Sequence, residues 1–558
     1  MQNAIVIGSG ISGMACALRL AEAGVSVSLV SPFPSERSQS VMAAGGINAV
    51  LQDPVPGDSV ACHIEDTLKS GRGLSGREAV SGLCGRADEI ISYLEKIGTV
   101  FSVDKTGAPV RRAFGGQSYR RTCYCGASTG KQIVSALVME VRRYEAAGII
   151  KRRMWSCFHS ALIRDGICYG VLLFDETTGR LEAEYADAVV IATGGQNALF
   201  GKTTGSTQCD GYTAGKLFMQ GAELKNLEFI QYHPTTMETA QKRMLISEAA
   251  RGEGGRLFYY EEAARSAGKG SAENPSSRKR VYFLEDEFGP RGNLMTRDII
   301  SRRIFTCGRD VYLDISFLDQ RLIAERLPEV QDLCRKYKGI DVTREPIPVA
   351  PSVHFFMGGL AVHLDHETNI RNLFAVGECA SLYHGANRLG GNSLLAAMYS
   401  GWVAAEEIAG RESVSARPDF TAIQEEETRL LLKKRESKSA FPVMYIRDMV
   451  AETMNKDLGI SRDEEKLEKG IADVDYYLSI ADKLSYDPNV MPYFNYSLTG
   501  ILTLARAVLT CAKERKESRG AHFRSDYPEA DERFAASSII SYQDGRYQVR
   551  LDKGHSYE

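Results

Sequence analysis

A glycine-rich turn near the start of the chain is of the type that binds phosphate groups. Gly8, Gly10 and Gly13 fit the pattern GxGxxG, which follows the strand-like run Ala4–Ile7 and opens a helix-like run. The first glycine permits the tight turn, the second lets the backbone approach a diphosphate, and the third allows the helix to pack closely on the strand. The helix N-terminus would offer free N–H groups and its positive dipole end to the phosphates. This context predicts a dinucleotide-binding site.

The residue expected to hold the ribose of that dinucleotide is unusual. Such sites commonly carry Asp or Glu at the end of the second strand, whereas Ser31 stands there, followed by Pro32. A serine hydroxyl can still hydrogen bond a ribose hydroxyl, with less charge assistance than a carboxylate gives. On this motif alone, the dinucleotide could be either FAD or NAD.

The cysteines give no sign of a metal or redox centre. The 12 cysteines are scattered, no CxxC pair occurs, and the closest pair is Cys123 and Cys125. Zinc and iron–sulfur sites usually show tighter groups of ligands, so the sequence predicts no metal site. Unpaired thiols, and a first strand that begins almost at Met1 with no room for a secretory signal, predict a cytoplasmic protein.

The elements that must position these groups follow an α/β pattern. Apolar runs at Ala4–Ile7, Ala188–Ile191 and Leu373–Val376 each lead into a turn of small or acidic residues. Such runs are typical of the buried strands of a parallel sheet. We therefore expect one parallel sheet that collects distant segments of the chain.

The second half of the chain changes character. The polar stretch Ser266–Lys279 predicts a surface loop. From about residue 416 the sequence is rich in Glu, Lys, Arg and Leu, which predicts a helical region whose last helix is the apolar run Leu498–Ala512. The tail after Gly520 is predicted to be short, polar and irregular.

The overall composition excludes two classes of protein. Lys and Arg number 68 against 71 Asp and Glu, a net charge of −3, so nucleic acid is not expected as a partner. No apolar run reaches the roughly 18 residues that a membrane-spanning helix needs, so we do not expect the chain itself to cross a membrane.

Further motifs resemble the succinate dehydrogenase and fumarate reductase flavoprotein family. They occur in the family's order and cover nearly the whole chain: Arg37–Ile47, Phe114–Gly116, Arg121–Thr122, Ala192–Gly195, Phe229–Thr235, Ser247–Gly255, Thr296–Asp298, His354–Gly359, Gly377–Cys379, His384–Leu394 and Glu517–His522. The resemblance implies an α/β fold: a Rossmann-like FAD-binding domain, an inserted α+β capping domain and a C-terminal helical domain. On this sequence we expect the FAD-binding domain at residues 1–230 and 353–415, the capping domain at 231–352, the helical domain at 416–520 and a tail at 521–558.

The resemblance also implies FAD as the cofactor, and it indicates which residues bind it. They lie in the glycine turn, at the end of the second strand and in the family motifs: Gly8, Ser9, Gly10, Ser12, Gly13, Ser31, Ser38, Gln39, Ser40, Ala44, Gly45, Gly46, Ala192, Thr193, Gly194, Asp210, Glu378, Arg388, Ser393 and Leu394.

Several side chains in these motifs suit a small diacid. A flat C4 dicarboxylate such as fumarate or succinate needs cationic or hydrogen-bonding groups at both ends. Arg388 offers a bidentate fork for one carboxylate, and His354 can bind the same end. His233 and Ser247 can hold the other end, and Phe114 completes the expected substrate site. Binding at both ends would hold the reacting carbons over flavin N5 and twist the substrate toward its transition state.

Arg297 is the expected proton donor. In the family, the matching arginine is the general acid, which protonates the carbon opposite the one that receives hydride. A pKa above about 12 makes arginine a poor proton source in water, but a developing carbanion is a far stronger base. Glu248 and Arg251 lie three residues apart, on one face of a helical turn, and could return protons to Arg297. The alternative makes Arg297 a charge clamp only and the other two a structural salt bridge.

One position departs from the family pattern. Gln39 stands where succinate dehydrogenases and membrane fumarate reductases usually have the histidine that bonds covalently to the flavin. Because glutamine cannot form this bond, we expect non-covalent FAD. Loss of the bond should lower the flavin potential, which favours fumarate reduction over succinate oxidation.

Two other functions remain open from the sequence. L-aspartate oxidase, a relative with the same fold and non-covalent FAD, would produce iminoaspartate and hydrogen peroxide. Aspartate oxidases typically carry an acidic residue before the paired glycines, whereas this chain has Ala113 and Phe114 before Gly115 and Gly116, as in the dicarboxylate reductases. The second alternative is a non-catalytic flavin-binding or assembly subunit. The presence of Arg297 together with the other site residues argues against it.

The family implies partners for electron transfer. A separate iron–sulfur subunit, in some members joined by a membrane anchor, would supply electrons, and a soluble donor is the alternative. With such partners the chain is expected in the cytoplasm or peripherally on the cytoplasmic face of the membrane.

Overall fold

A computed structural model describes residues 2–126, 128–240, 242–261, 279–413, 417–437 and 441–554. Its strands are β1 (Asn3–Ile7), β2 (Ser26–Ser31), β3 (Ile47–Asn48), β4 (Arg111–Arg112), β5 (Thr122–Cys123), β6 (Ile150–Met154), β7 (Ser156–Arg164), β8 (Ile167–Asp175), β9 (Arg180–Tyr185), β10 (Ala188–Ile191), β11 (Leu224–Lys225), β12 (Ile230–Glu238), β13 (Arg243–Leu245), β14 (Arg256–Tyr260), β15 (Arg280–Val281), β16 (Val311–Asp314), β17 (Ile347–Phe356), β18 (Gly359–Ala361), β19 (Leu373–Ala375), β20 (Ala380–Ser381), β21 (Ser537–Gln543) and β22 (Arg546–Asp552).

The α-helices of the same residues are α1 (Ile11–Glu22), α2 (Val60–Ser70), α3 (Arg77–Gly85), α4 (Ala87–Lys96), α5 (Thr129–Ala146), α6 (Tyr212–Met219), α7 (Ala249–Gly252), α8 (Phe283–Phe288), α9 (Arg297–Thr306), α10 (Gln320–Arg326), α11 (Pro328–Lys338), α12 (Asn392–Gly410), α13 (Thr421–Arg435), α14 (Val443–Asp457), α15 (Glu464–Ile480), α16 (Pro492–Tyr496) and α17 (Leu498–Glu514). Short 3₁₀ turns, among them Gln39–Met42, join some of them.

The predicted parallel sheet is present. Its strands lie in the order β19-β10-β1-β2-β6, and every neighbouring pair is parallel. The three apolar runs singled out in the sequence are therefore neighbouring strands. Strands with such continuously buried aliphatic side chains occur in parallel sheets that helices cover on both faces. At the carboxyl end of β1 the chain turns sharply: Gly8 has φ +111°, and a Cβ there would lie 2.3 Å from the carbonyl oxygen of Ala192.

A second, antiparallel sheet carries the segment of chain between β11 and β18. Its strands lie in the order β13-β12-β17-β16-β14-β15. Leu257 and Leu313 on the sheet and Ile300 on α9 are among the residues of its separate apolar core. This α+β unit runs from Ile230 on β12 to Phe356 on β17, slightly beyond both ends of the range 231–352 expected for the capping domain, and the domain bounds stay a prediction. Of the predicted loop Ser266–Lys279, only Lys279 belongs to the described residues.

The predicted C-terminal helices are present as α13 to α17. The last of them, α17, is buried along most of its length and crosses α6 at two glycines. A Cβ on Gly215 would lie 2.0 Å from the carbonyl oxygen of Gly500, so the two backbones are in direct contact. None of the helices in the described parts of the chain combines the length and the apolar character that crossing a bilayer requires.

The tail differs from the sequence prediction. Residues after Gly520 were expected to be irregular, but β21 and β22 form a hairpin whose first strand pairs with β11. The turn is Asp544-Gly545, with φ of 50° and 78°, a pair that favours the tight two-residue turn of hairpins. The prediction was wrong because the polarity of the tail was given more weight than this turn signal.

Candidate active site

The glycine turn and the capping unit line one cavity of about 480 Å³. The predicted cofactor residues that line it are Gly8, Ser9, Gly10, Ser12, Ser31, Ser38, Gln39, Ser40, Ala44, Gly45, Gly46, Ala192, Thr193, Gly194, Asp210, Glu378, Arg388, Ser393 and Leu394. Gly13 is not on the surface of the cavity. A Cβ on Gly13 would lie 1.9 Å from the carbonyl oxygen of Gly8, so this glycine allows the helix to pack against the turn, as the motif predicts.

The turn at the start of α1 suits a diphosphate. The helix has no side-chain cap from its N-cap residue Gly10 and no acidic residue in its first turn. The N–H of Ile11 donates to Ser40 Oγ over 3.2 Å, which leaves other N–H groups of this end for an anion. The hydroxyl of Ser31 donates to the carbonyl oxygen of Phe33 within its own turn.

Several buried polar atoms along the cavity have no hydrogen-bond partner among the described residues. They are Ser38 Oγ, Gln39 Oε1 and Arg388 Nε. A buried polar group without a partner is destabilising by about 1–3 kcal/mol, so these atoms indicate a bound polar molecule. The residues present therefore fit a dinucleotide such as FAD.

At the far end of the cavity, Arg297 begins α9 and contacts a buried carboxylate. Its Nε and Nη2 atoms donate to Glu248 Oε2 over 2.9 and 2.6 Å. The other oxygen of Glu248 accepts from the N–H of Gly115 over 2.8 Å. Burial raises the pKa of Glu248, but Arg297 and Arg251 lower it more, so that it falls to about 2. The carboxylate is thus ionised and fixes the guanidinium that faces the cavity.

Arg251 lies behind this pair. It is fully buried, does not line the cavity, and its Nη2 lies 3.5 Å from Glu248 Oε1. Its Nη1 donates to the carbonyl oxygen of Asn293 over 2.8 Å, while Nη2 and Nε have no hydrogen-bond partner among the described residues. Burial lowers the pKa of Arg251. The three charged groups form a row from the interior to the cavity.

The two predicted histidines lie side by side. The ring centroids of His233 and His354 are 5.2 Å apart, and Thr204 Oγ1 lies 2.8 Å from His354 Nδ1. Burial, followed by the charge of Arg297, lowers the pKa of both imidazoles well below the usual range, so both are neutral hydrogen-bonding groups. Ser247 also lines the cavity, and its Oγ accepts a 3.3 Å hydrogen bond from the N–H of Ala249.

Arg388 is a buried cation without a carboxylate partner among the described residues. Its guanidinium carbon lies 4.4 Å from the ring centroid of Phe355, and its Nη1 donates to Ser393 Oγ over 3.3 Å. Burial, followed by Arg297, lowers the pKa of Arg388. An anion in the cavity would relieve both effects. Phe114, the remaining predicted substrate residue, lines the same cavity with its ring 3.3 Å from the Cβ position of Gly45.

Comparison with known proteins identifies the family. The FAD binding domain model matches residues 3–394, and the model of the fumarate reductase flavoprotein C-terminus matches residues 447–555. The chain belongs to the succinate dehydrogenase and fumarate reductase flavoprotein family. The resemblance drawn from the motifs is thereby confirmed, as is the expected α/β fold with its C-terminal helical domain.

Relatives of this flavoprotein family align along almost the entire chain. The succinate dehydrogenase flavoprotein subunit of Bacillus subtilis is 36% identical, covering 95% of this chain and 92% of the relative. The fumarate reductase flavoprotein subunit of Mycobacterium tuberculosis is 33% identical, covering 98% and 96%, and an L-aspartate oxidase of Nostoc is 32% identical, covering 96% and 93%. A solved E. coli quinol fumarate reductase chain superimposes with a TM-score of 0.86 at 28% identity, covering 99% and 97%.

Membership of this flavoprotein family decides what the glycine motif left open. The chain is an FAD-dependent oxidoreductase, so FAD rather than NAD is its dinucleotide. In the described parts of the chain, no group of three or more His, Cys, Asp or Glu side chains could hold a metal ion.

The cavity also contains flavoprotein residues that the sequence reading missed. Those that line the cavity come from the loop before α6, the capping unit and the segment at α16: Thr204, Lys242, Glu329, Val330, Leu333, Met491, Tyr493 and Phe494. Gln231 on β12 does not line the cavity but joins its two arginines. For Gln231 a signal existed. It stands two residues before His233 in a strand, where alternate side chains share a face.

Proposed function

We propose that this chain is the flavoprotein subunit of a fumarate reductase, which reduces fumarate to succinate. The observation that carries the proposal is the meeting of the phosphate-binding turn and the group Arg297, Arg388, His233 and His354 on one cavity. A cavity with a dinucleotide turn at one end and two guanidiniums at the other suits reduction of a dianion held over a flavin.

The substrate-binding part of the proposal assigns the two carboxylates of the diacid. Arg388 binds one carboxylate through its fork, with His354 at the same end, and His233 with Ser247 holds the other. Both imidazoles are neutral because burial and Arg297 lower their pKa, so they donate or accept hydrogen bonds without adding charge. The two fixed ends leave the double bond of fumarate in the middle of the group.

Chemically, the reduction adds a hydride to one carbon of the double bond and a proton to the other. FAD supplies the hydride from its N5 atom when bound. Arg297 gives the proton to the second carbon, since the carbanion that develops there is a much stronger base than water. Glu248, which contacts Arg297 over 2.6 Å, passes on a replacement proton received from Arg251, and Arg251 regains its own proton from solvent in each turnover.

Gln39 supports a non-covalent cofactor and the reductive direction. Its side chain lines the cavity at the position where the family's covalent bond forms, and an amide cannot make that bond. A flavin without the histidyl link has a lower potential, which favours reduction of fumarate over oxidation of succinate.

The alternative, L-aspartate oxidase, would need an acceptor for the substrate ammonium. At the position before the paired glycines the structure has the apolar ring of Phe114, 4% exposed. The nearby carboxylate of Glu248 is already bound by Arg297 and by the N–H of Gly115. These contacts favour the reductase.

The proposal includes an electron-donating partner. We infer a separate iron–sulfur subunit, alone or with a membrane anchor, and with it a location in the cytoplasm or at the cytoplasmic face of a membrane. The likeness to a quinol fumarate reductase chain, which covers 99% of this sequence, supports this assignment. Co-purification of an iron–sulfur protein with the native chain tests it.

One anaerobic assay tests the function. Purified FAD-loaded protein, reduced by a viologen, is mixed with fumarate, and reoxidation with formation of succinate is expected. Hydrogen peroxide formed from aspartate and oxygen would instead identify an oxidase. Failure in both assays would contradict either enzyme and leave a flavin-binding subunit.

A further inference from the structure

Gln231 connects the two guanidiniums of the site. This side chain is 0% exposed on β12, and its single oxygen Oε1 accepts from Arg297 Nη1 over 3.2 Å and from Arg388 Nη2 over 2.8 Å. Arg297 belongs to the capping unit, whereas Arg388 lies beside α12 of the other domain. One neutral oxygen therefore joins two buried cations from different parts of the fold.

The orientation of the Gln231 amide is fixed by its other contacts. Its Nε2 donates to Asn387 Oδ1 over 2.9 Å and to the carbonyl oxygen of Arg388 over 2.8 Å. Asn387 is fixed in turn, since its Nδ2 donates to Asp298 Oδ1 over 3.0 Å. A flipped amide would direct N–H groups at two guanidiniums, which can only donate. The oxygen must therefore face the arginines.

The neutrality of Gln231 matters as much as its geometry. Two buried guanidiniums repel each other, and a partial negative charge between them reduces that repulsion. A carboxylate in this place would do so more strongly, but it would also occupy the cations that the substrate carboxylate needs. An amide oxygen holds the two groups apart and leaves their charge available.

We propose that Gln231 is a positioning residue that sets the separation and orientation of the proton donor Arg297 and the carboxylate-binding Arg388. This inference rests on the proposed function of those two arginines. It predicts that changes of charge and of hydrogen bonding at this position have different kinetic effects.

Gln231→Glu tests the charge. The new carboxylate pairs with both guanidiniums and competes with the substrate, so the KM for fumarate should rise at least about tenfold, with a smaller change in kcat. Malonate, a dicarboxylate that cannot be reduced, should bind at least about tenfold more weakly, as read from its perturbation of the flavin absorbance. Gln424→Glu on α13 is the matched control, since Gln424 does not line the cavity and its Nε2 donates to the carbonyl oxygen of Leu181 over 3.1 Å.

Gln231→Leu tests the hydrogen bonds. Both arginines lose an acceptor in this variant. Arg388 keeps its hydrogen bond to Ser393 and still pairs with the substrate carboxylate, so KM should change less. Arg297 loses a contact that directs it toward the substrate, so kcat should fall at least about tenfold. Gln231→Asn retains the amide on a shorter arm and should recover part of the lost kcat. If the leucine variant does not fold, the kinetic constants of the asparagine and glutamate variants test the inference.

Two results would overturn the inference. The first is that the glutamate and leucine variants have kinetic constants and malonate affinity equal to those of wild type. The second is that kcat falls and KM rises by the same factors in all variants, together with a matching loss of thermal stability. Failure of the proposed function is distinguishable, because wild-type protein would then not reduce fumarate, while malonate binding would still report on the two arginines.

Discussion

Arg297 is the residue on which the proposed chemistry depends most. Arg297→Lys keeps the charge but loses the two contacts to Glu248, and its proton is delivered from a different place. We expect kcat for fumarate reduction to fall by about 10²–10⁴-fold, with much smaller change in malonate affinity. Viologen reoxidation measures the rate. Arg302→Lys on the same helix, where the arginine lies over Phe523, should retain activity, and retained activity in the Arg297 variant would contradict a proton-donor role.

Ionisation of Glu248 makes the free energy of unfolding depend on pH at acidic pH values. Its pKa is about 2 in the folded protein against an ordinary value of 4.5. The ionised group therefore stabilises the fold fully above the unfolded value and ceases to do so as the pH falls toward 2. Glu248→Gln leaves Arg297 and Arg251 without their carboxylate and should lower the free energy of unfolding at neutral pH by about 3 kcal/mol.

The difference between wild type and Glu248→Gln should then narrow as the pH falls from 4.5 to about 2. Urea unfolding at a series of pH values measures it. Glu253→Gln removes a partly exposed carboxylate paired with the half-exposed Arg326 and should have little effect at any pH. A difference that stays constant across the window would show that Glu248 is not held ionised.

At the scale of single residues, the sequence predicted two arginines and a histidine of the cavity but not the residue that connects the arginines. Arg297, Arg388 and His233 stood in motifs whose residue types indicate binding of a diacid. Gln231 did not stand out, because an amide is equally common as a surface residue and its two acceptor contacts join segments 66 and 157 positions apart. Which groups meet over such distances is decided by tertiary packing.

At the scale of helices and strands, the close contact between the backbones of α6 and α17 allows a direct test of helix packing. Gly215→Ala places a Cβ 2.0 Å from the carbonyl oxygen of Gly500, so the helices must separate. We expect a loss of about 1–3 kcal/mol in the free energy of unfolding, measured by urea titration. Gly85→Ala at the end of α3 meets nothing within 4 Å and should be neutral or stabilising by about 0.5–1 kcal/mol.

Strands with a continuous apolar sequence were predicted correctly, whereas the C-terminal hairpin was not predicted. The strands β1, β10 and β19 read as buried apolar runs and pair as expected. The hairpin of β21 and β22 is polar on its outer side and has no stability of its own. It forms because β11 offers an open edge and because Ser538 and Asn226 bond across it, which the local sequence does not reveal.

For the whole molecule, the attachment of the flavin is the most direct prediction. Gln39 provides no nucleophile for the cofactor, so acid precipitation should leave all of the yellow FAD in the supernatant. The precipitated chain should show no flavin fluorescence on a denaturing gel. Flavin that remains with the precipitate would contradict non-covalent binding, and an anaerobic titration of the native protein should give a potential that favours fumarate reduction.

The overall architecture followed from the sequence because the order of motifs is that of a known family. The assignment of the segments to one cavity could not be derived from periodicity, since β12 and α9 belong to one unit and α12 to another. Their meeting depends on how the capping sheet lies over the parallel sheet.

The pairing of the hairpin with β11 has a consequence for biosynthesis. Ser538 and Asn226, joined by a hydrogen bond, are 312 positions apart, and Glu228, just before the strand that carries Gln231 and His233, accepts from Ser538 and Arg515. A ribosome must deliver the chain through the hairpin before these bonds can form. Completion of the pocket therefore waits for synthesis of the hairpin, and nascent chains arrested before it should fail to retain flavin.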